Sequence, residues 1–281
     1  NQSVNITGGS DISRFAMGFS YFKQDGTIGY PANPNYDRYT ARINSDYSLL
    51  RRNGRDILKF GENLTFTMTN KSGIAIGNNY GNSIRDILVA CPILPAYNAE
   101  GGFYEYNDMV ADNWDFNQDF SNPLARTYYN YGNNNNRGHR IQSNFYLEFR
   151  PIEGLTIKSS AGLNFNHSES RSYVPSYVLS AHNSNDTDDV SQRQSYSARW
   201  SWENTANYVK SWGDHNFDFL LGQSIEKWGY GNSVSVKNSN SLFPGSYDHA
   251  YIVNTQGLDV ANTTIGGEPY SQGALSSFFG R

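Results

Sequence analysis

A period-two alternation of apolar and polar side chains is the feature that most constrains the fold of this chain. Between residues 38 and 49, one set of alternate positions is apolar or small and includes Tyr39, Ile43 and Leu49. The positions between them are polar and include Arg38 and Asn44. Because successive side chains of a strand point to opposite faces, the segment is predicted to be a strand with one apolar and one hydrated face.

The same alternation recurs along the chain and predicts about nine strands. They cover roughly residues 2–7, 14–23, 37–50, 56–69, 140–150, 154–166, 194–210, 214–227 and 272–281. Several exceed the ~5–6 residues of an ordinary strand and reach the ~9–11 that cross a bilayer at a tilt. The chain is 37% hydrophobic yet 15% aromatic. A barrel wall with one lipid face and one hydrated face accounts for both properties.

The connections between the predicted strands alternate in length. The short ones lie at about 8–11, 53–56, 151–154 and 212–214, and the long ones at about 24–36, 70–139, 167–193 and 228–271. Outer-membrane barrels have short periplasmic turns and longer extracellular loops. We therefore predict an all-β fold, namely an antiparallel transmembrane β-barrel segment with long extracellular loops.

The longest loop, residues 70–139, contains one segment with a helical pattern. Asn82 or Ser83 could cap a short helix that places Ile84, Ile87 and Leu88 on one face and ends before Pro92. No other regular structure is predicted in this loop.

Charge and cysteine content exclude several classes of protein. The net charge is −4, from 22 basic and 26 acidic residues, and no basic stripe indicates nucleic-acid binding. The single cysteine, Cys91, cannot form an internal disulfide, and no Cys/His spacing fits zinc. The run from Asp186 to Asp189 offers alternate carboxylates for calcium but lacks the glycine and terminal glutamate of an EF-hand, so a solvated acidic loop is expected. No catalytic set, metal or cofactor is predicted, and an enzyme is disfavoured.

Aromatic side chains fall into two groups with different expected roles. Those on the apolar strand faces, such as Phe19, Tyr47 and Trp202, are predicted to meet lipid or form the interfacial girdle. The second group lies in the longest loop. It comprises Tyr97, Phe103, Tyr104, Tyr106, Trp114 and Tyr128, which are the candidate ligand-binding residues, together with Phe116 and Tyr129. Flat aromatic faces can stack on sugar rings, but they can equally hold a long loop together, and both interpretations stay open.

Charged residues on the hydrated faces would point into the lumen of the barrel. They are Arg38, Arg42, Asp46, Lys59, Lys158 and Arg199. We expect them to contact either water or a domain that fills the lumen.

Several motifs, in order and spacing, resemble the SusC/RagA family of TonB-dependent outer-membrane transporters. The resemblance runs through Val4 to Lys23, with Gly8-Gly9-Ser10 in the turn, and through residues 24–26, 36–44, 58–66, 91–98, 101–104, 122–125, 151–158 and 275–281. Each motif is loose alone, whereas their succession covers nearly the whole chain.

The resemblance implies a larger architecture than this chain can supply. Members have a single-chain barrel of about 22 strands with a plug domain in the lumen. They import glycan or peptide fragments, usually with a SusD-like surface lipoprotein over the barrel, and draw energy from TonB through an N-terminal box. We expect residues 1–281 to be part of the barrel domain, without the plug, the TonB box and the remaining strands. The resemblance places the protein in the outer membrane of a Gram-negative bacterium.

Two other functions remain open at this point. A passive porin-like barrel would share every physical signal and lack only the family motifs. A secreted all-β carbohydrate-binding module would be a soluble sandwich, but its whole apolar strand faces would then form large exposed patches.

Overall fold

The computed structural model describes residues 1–79, 82–114, 120–257 and 260–281. The strands are β1 (Gln2–Gly9), β2 (Ser13–Asp25), β3 (Asn35–Arg52), β4 (Arg55–Ser72), β5 (Asn134–Phe149), β6 (Leu155–Val174), β7 (Tyr177–Ser180), β8 (Asn183–Asn185), β9 (Asp189–Trp212), β10 (His215–Ser239), β11 (Thr264–Gly266) and β12 (Gly273–Gly280). The helices are α1 (Ser83–Leu88), α2 (Tyr106–Ala111) and α3 (Pro123–Tyr131), with 3-10 turns η1 (Tyr247–His249) and η2 (Ile252–Asn254).

The long strands form one antiparallel sheet in which chain neighbours are also hydrogen-bonded neighbours. The order runs from β1 through β6 to β9 and β10, and both β11 and β12 then pair with β10. β7 and β8 form a separate two-stranded ribbon. All nine predicted strands are confirmed, as is the class of antiparallel barrel segment. The described residues form no second large sheet packed face to face, so the sandwich alternative is wrong.

The strands are longer than the alternation predicts, and the extra length lies on the side of the long loops. β5 begins at Asn134 rather than 140, and β9 begins at Asp189 rather than 194. β6 ends at Val174 rather than 166, and β10 ends at Ser239 rather than 227. The added parts of β5 and β6 are mostly polar on both faces, so they carry no apolar period, whereas that of β10 alternates Val234 and Val236 with serine. The backbone ladder continues through them nonetheless, and the long loops shrink to 26–34, 73–133, 175–188 and 240–272.

Strand register collects the apolar side chains on one face of the sheet. One row of directly opposed residues runs through Phe19, Ala41, Phe66, Ile141, Phe165 and Ala198. The adjacent row faces the other way and runs through Arg42, Thr65, Gln142, Asn164 and Arg199. Phe19 is 52% exposed, as expected for a side chain whose neighbours are lipid. The first face is the membrane surface of the wall, and the second lines the lumen.

Several lumen-facing charges contact other residues of the wall itself. Lys59 Nζ lies 3.5 Å from Asp46 Oδ1, and Arg199 forms an ion pair with Glu226. Lys158 Nζ lies 4.4 Å from the centroid of the Tyr146 ring. That ring covers Gly61 on the neighbouring strand so closely that a Cβ at Gly61 would lie 2.2 Å from it. Part of the lumen surface is therefore neutralised within the sheet.

The loop after β10 packs back onto the membrane-facing side of β6 and β9, beyond the apolar rows. Its Ala250 is fully buried against Tyr173 and Val190. Tyr173 Oη donates to Asp188 Oδ2 at 2.9 Å and accepts from the Gly245 N–H at 2.7 Å. Asp188 is only 7% exposed, so the expectation of a fully solvated acidic loop is wrong here. Its carboxylate organises the loop instead.

Helix α1 forms where the capping pattern predicts it. The Asn82 side chain accepts hydrogen bonds from the backbone N–H groups of Ile84 and Arg85, as an N-cap does. Among the residues that the structure describes, no helix is long and apolar enough to cross a membrane.

Candidate functional site

The candidate site lies in the loop between β4 and β5, and it starts from a tight turn. The Asn98 N–H donates to the Gly102 carbonyl at 2.9 Å, and the Asn98 side chain accepts from the Glu100 and Gly102 N–H groups. Gly101 has φ +86°, a conformation that glycine adopts without strain. The turn brings Tyr97 opposite Phe103, and their rings stack with centroids 5.7 Å apart.

Asn122 ties this turn to helix α3 and is almost fully buried, at 2% exposed. Its Nδ2 donates to the carbonyls of Ala96 at 2.7 Å and Tyr104 at 3.2 Å. Its Oδ1 accepts from the N–H groups of Leu124 and Ala125 and so caps the helix, with Pro123 in the first turn. One amide therefore fixes three stretches of chain relative to one another.

A continuous series of aromatic rings results from this arrangement. Phe103 contacts Tyr128 with centroids 5.4 Å apart and Tyr129 at 5.9 Å. Tyr129 stacks on Tyr177 of β7 at 5.2 Å with an interplanar angle of 7°. We call Tyr97, Phe103, Tyr128, Tyr129 and Tyr177 the aromatic ladder. Tyr97 is 44% exposed and Tyr128 40% exposed, so the ladder presents ring surface to solvent.

Tyr104 and Trp114 form a second pair with a different environment. Their ring centroids lie 6.0 Å apart, and Tyr104 is only 4% exposed. Tyr104 Oη donates to Asp112 Oδ2 at 2.5 Å. Burial, followed by the hydrogen bond to this carboxylate, raises the pKa of Tyr104 to about 12. Tyr104 therefore packs the loop from inside and offers little surface to a ligand.

The structure thus separates the predicted site residues. Tyr97, Phe103 and Tyr128 come together, with Tyr129, while Tyr104 and Trp114 pair elsewhere in the loop. Tyr106 begins α2 and makes no ring contact with the described residues, and Phe116 lies outside them. Tyr177 was not predicted, because it lies 48 residues beyond Tyr129 on another loop.

The centre of the ladder is also polar. Tyr129 Oη donates to Glu105 Oε1 in a short hydrogen bond. Burial is the main cause that raises the pKa of the Glu105 carboxyl, which the Tyr129 hydroxyl partly opposes by donating to it. Burial and the same carboxylate raise the pKa of Tyr129. The exposed rings are thus held by a part-buried hydrogen bond and not by packing alone.

The ladder touches a second long loop at its outer end. Tyr97 Oη donates to Tyr30 Oη at 3.5 Å, so the loop between β2 and β3 borders it. Flat rings with hydroxyl tips suit binding through stacking and hydrogen bonds. Within the described ranges, no group of three or more His, Cys, Asp or Glu side chains is arranged to hold a metal ion.

Comparison with known proteins finds relatives that match the chain over most or all of its length. No protein-family model matches the chain. Two TonB-dependent receptors of Formosa agariphila are similar in sequence. Receptor P26 is 26% identical over the whole of this chain, and the match covers 26% of the receptor. Receptor P3 is 26% identical over 81% of this chain, and the match covers 21% of the receptor. The chain therefore spans about a quarter of the length of these curated relatives.

Solved structures show the same fold. The RagAB peptide importer in its open-open state matches with a TM-score of 0.76 at 19% identity, covering 99% of this chain and 28% of that one. Its closed-closed state matches with a TM-score of 0.76 at 18% identity. The resemblance of this chain to TonB-dependent transporters of the SusC/RagA type is thus confirmed along its whole length, as a segment of their transmembrane β-barrel.

Proposed function

We propose that this chain supplies wall and loops to an active importer of nutrient oligomers in the outer membrane of a Gram-negative bacterium. The observation that carries the proposal is the similarity to TonB-dependent receptors over the full chain, joined to a barrel fold shared with the RagAB peptide importer. The long loops are extracellular in this proposal. The substrate is a glycan or peptide fragment, and the chain acts in binding and gating rather than in catalysis.

The aromatic ladder is the proposed contact surface for substrate or for a lid. Its most exposed rings are those of Tyr97 and Tyr128. A SusD-like lipoprotein would cover the barrel and enclose the captured oligomer against this loop. TonB, acting on parts of the polypeptide outside this chain, would then displace the plug and open a path along the Asn-rich lumen face.

Uptake by the complete polypeptide tests active import. Cells that express it would be given fluorescent oligosaccharide and peptide libraries, with and without TonB and with and without an uncoupler of the proton gradient. Active import predicts accumulation that requires both TonB and the gradient. Accumulation that survives loss of either would instead support the passive porin-like alternative.

The role of the ladder is tested separately by paired substitutions. Tyr97→Ala with Tyr128→Ala removes two exposed rings, at about 1–3 kcal/mol for each stacked ring if sugar faces are stacked as bases are. Binding of the imported oligomer should weaken at least tenfold. Phe243→Ala, which removes an exposed aromatic from another long loop, is the matched control. Equal effects of the two variants, or no effect of the first, would leave the ladder as loop packing only.

A further inference from the structure

A cleft of about 670 Å³ lies on the membrane-facing side of the wall, between the sheet and the folded-back loop after β10. Its floor is made by two adjacent rows of the sheet. One row joins Arg137, Glu169, Gln194 and Val234, and the next joins Asn135, Arg171, Gln192 and Val236. Its roof is made by Tyr247, Tyr251 and Ile252. The cleft is therefore outside the barrel lumen and separate from the aromatic ladder.

The loop after β10 holds Arg171 in position in this cleft. Its guanidinium carbon lies 4.3 Å from the Tyr247 ring centroid and 4.2 Å from that of Tyr251. Tyr247 Oη donates to the Arg171 carbonyl at 3.2 Å, and the Ile252 N–H donates to the Gln192 side chain at 2.9 Å. The rings and these hydrogen bonds hold the cation in one orientation.

Arg171 nevertheless lacks an acidic partner among the described residues. Its Nη1 donates to the Asp248 carbonyl at 3.5 Å. A guanidinium has five N–H donors, so most of its capacity is available. Arg137 lies on the same face of the sheet, two residues along β5 from Asn135, which is opposite Arg171. Arg137 is already paired with Glu169 at 3.6 Å. The charged residues that line the cleft, Arg137, Glu169, Arg171 and Arg193, give it a net positive charge that suits an anion.

The height of the cleft above the apolar rows identifies the kind of anion. Arg137 lies four residues before the outward-facing Ile141, and Arg171 lies six residues after the outward-facing Phe165, which are about 13 and 20 Å along their strands and, at the ~40° tilt of such barrels, about 10 and 15 Å along the barrel axis. A lipid headgroup layer is only about 5–8 Å thick on each side of the hydrocarbon core. A small phospholipid headgroup cannot reach Arg171 while its acyl chains lie against Phe165. A glycolipid whose phosphate is carried on a saccharide several sugars away from its acyl chains is long enough.

We propose that this cleft binds the phosphorylated saccharide headgroup of a glycolipid in the outer leaflet, with its acyl chains against the apolar rows below. Arg171 binds the phosphate, Arg137 and Gln194 contact the sugar hydroxyls, and Val234 packs against the lipid side. The proposal rests on the orientation proposed above, with the long loops outermost. It does not rest on the import of any substrate.

Native mass spectrometry of the complete polypeptide in detergent tests the proposal, with a purified lipopolysaccharide that has a phosphorylated core oligosaccharide as the probe. The wild-type protein should retain this lipopolysaccharide, whereas Arg171→Gln should bind it about tenfold more weakly, as expected for the loss of one charge-assisted hydrogen-bonding partner. Lys71→Gln is the matched control, because it removes one positive charge on the lumen-facing side of the sheet at similar height. Arg171→Lys, which keeps the charge, should restore most of the binding even if the glutamine variant loosens the loop.

Each remaining outcome overturns the proposal. Equal retention by wild type and Arg171→Gln would show that the cleft is not the site. Equal losses in the Arg171 and Lys71 variants would show a general effect of net charge. Inorganic phosphate that displaces the lipopolysaccharide completely at matched concentration would show a free-anion site rather than a lipid site. Lipid retention is read without any transport step, so its failure is distinct from a failure of the proposed import.

Discussion

Substitution of Asn122 by alanine should release the candidate site without disturbing the barrel wall. The change removes the cap of α3, worth ~1 kcal/mol, and leaves the buried carbonyl of Tyr104 without its donor, at about 1–3 kcal/mol, while the Ala96 carbonyl keeps its hydrogen bond from the Tyr104 N–H. The local free energy of opening should therefore fall by about 2–4 kcal/mol. The wall should be unaffected because its ladder of backbone hydrogen bonds does not involve Asn122.

Hydrogen exchange of the complete polypeptide in detergent measures this local opening. Protection of the amides at the start of α3 and in the turn at 97–103 should fall by about thirty- to a thousandfold, while β4 and β5 keep theirs. Asn122→Ser separates the two contributions, because its shorter side chain can cap the helix but cannot reach both carbonyls. The serine variant should lose roughly half as much. Unchanged protection in Asn122→Ala would refute the assignment of this amide as the tie between turn and helix.

Three further expectations follow from the same structure. Tyr173→Phe removes the hydroxyl that joins Asp188 to the Gly245 N–H, so the folded-back loop should be destabilised by about 1–3 kcal/mol and be cleaved faster by limited proteolysis, with Tyr270→Phe as a control. Gly61→Ala forces the Tyr146 ring away and should lower the thermal stability of the barrel by about 1–3 kcal/mol, whereas Gly73→Ala, where a Cβ meets nothing within 4 Å, should not. The pKa of Tyr104 is raised, so folding of the loop favours the neutral hydroxyl; this stabilisation is complete below pH ~10 and is lost as the pH rises to about 12. The absorbance difference between wild type and Tyr104→Phe should therefore show ionisation to tyrosinate near pH 12 rather than near 10.

The alternation of side chains predicts the membrane-spanning part of each strand but not the full length of the strands. Where one face meets lipid, as along Phe60, Leu64 and Phe66, an apolar period is obligatory and can be read directly. Beyond the membrane both faces are hydrated, so Asn134–Asn136 can belong to a strand although their sequence is typical of a loop. Strand continuation there depends on pairing with residues 170–172, which no local pattern reveals.

The candidate site is predictable only in part for a related reason. The composition of the loop indicates a set of aromatic residues, but which rings meet depends on Asn122 and on contacts with distant segments. The Asn122-Pro123 pair is a signal for a helix start that could have been found, because asparagine caps and proline is favoured in the first turn. The stack of Tyr129 on Tyr177 joins two loops separated by two strands and could not have been found.

The length of β9 and β10 has a mechanical consequence. At 24 and 25 residues, and at the ~40° tilt of such barrels, these strands rise about 60 Å along the barrel axis, twice the ~30 Å thickness of the hydrocarbon core. Since the opposite turns are short, nearly all of the excess stands on one side as a stiff collar. A partner that docks on this protein therefore meets the hydrogen-bonded edge of the sheet, held at a fixed distance from the lipid. A force applied at this edge is transmitted through the sheet rather than absorbed by flexible loops.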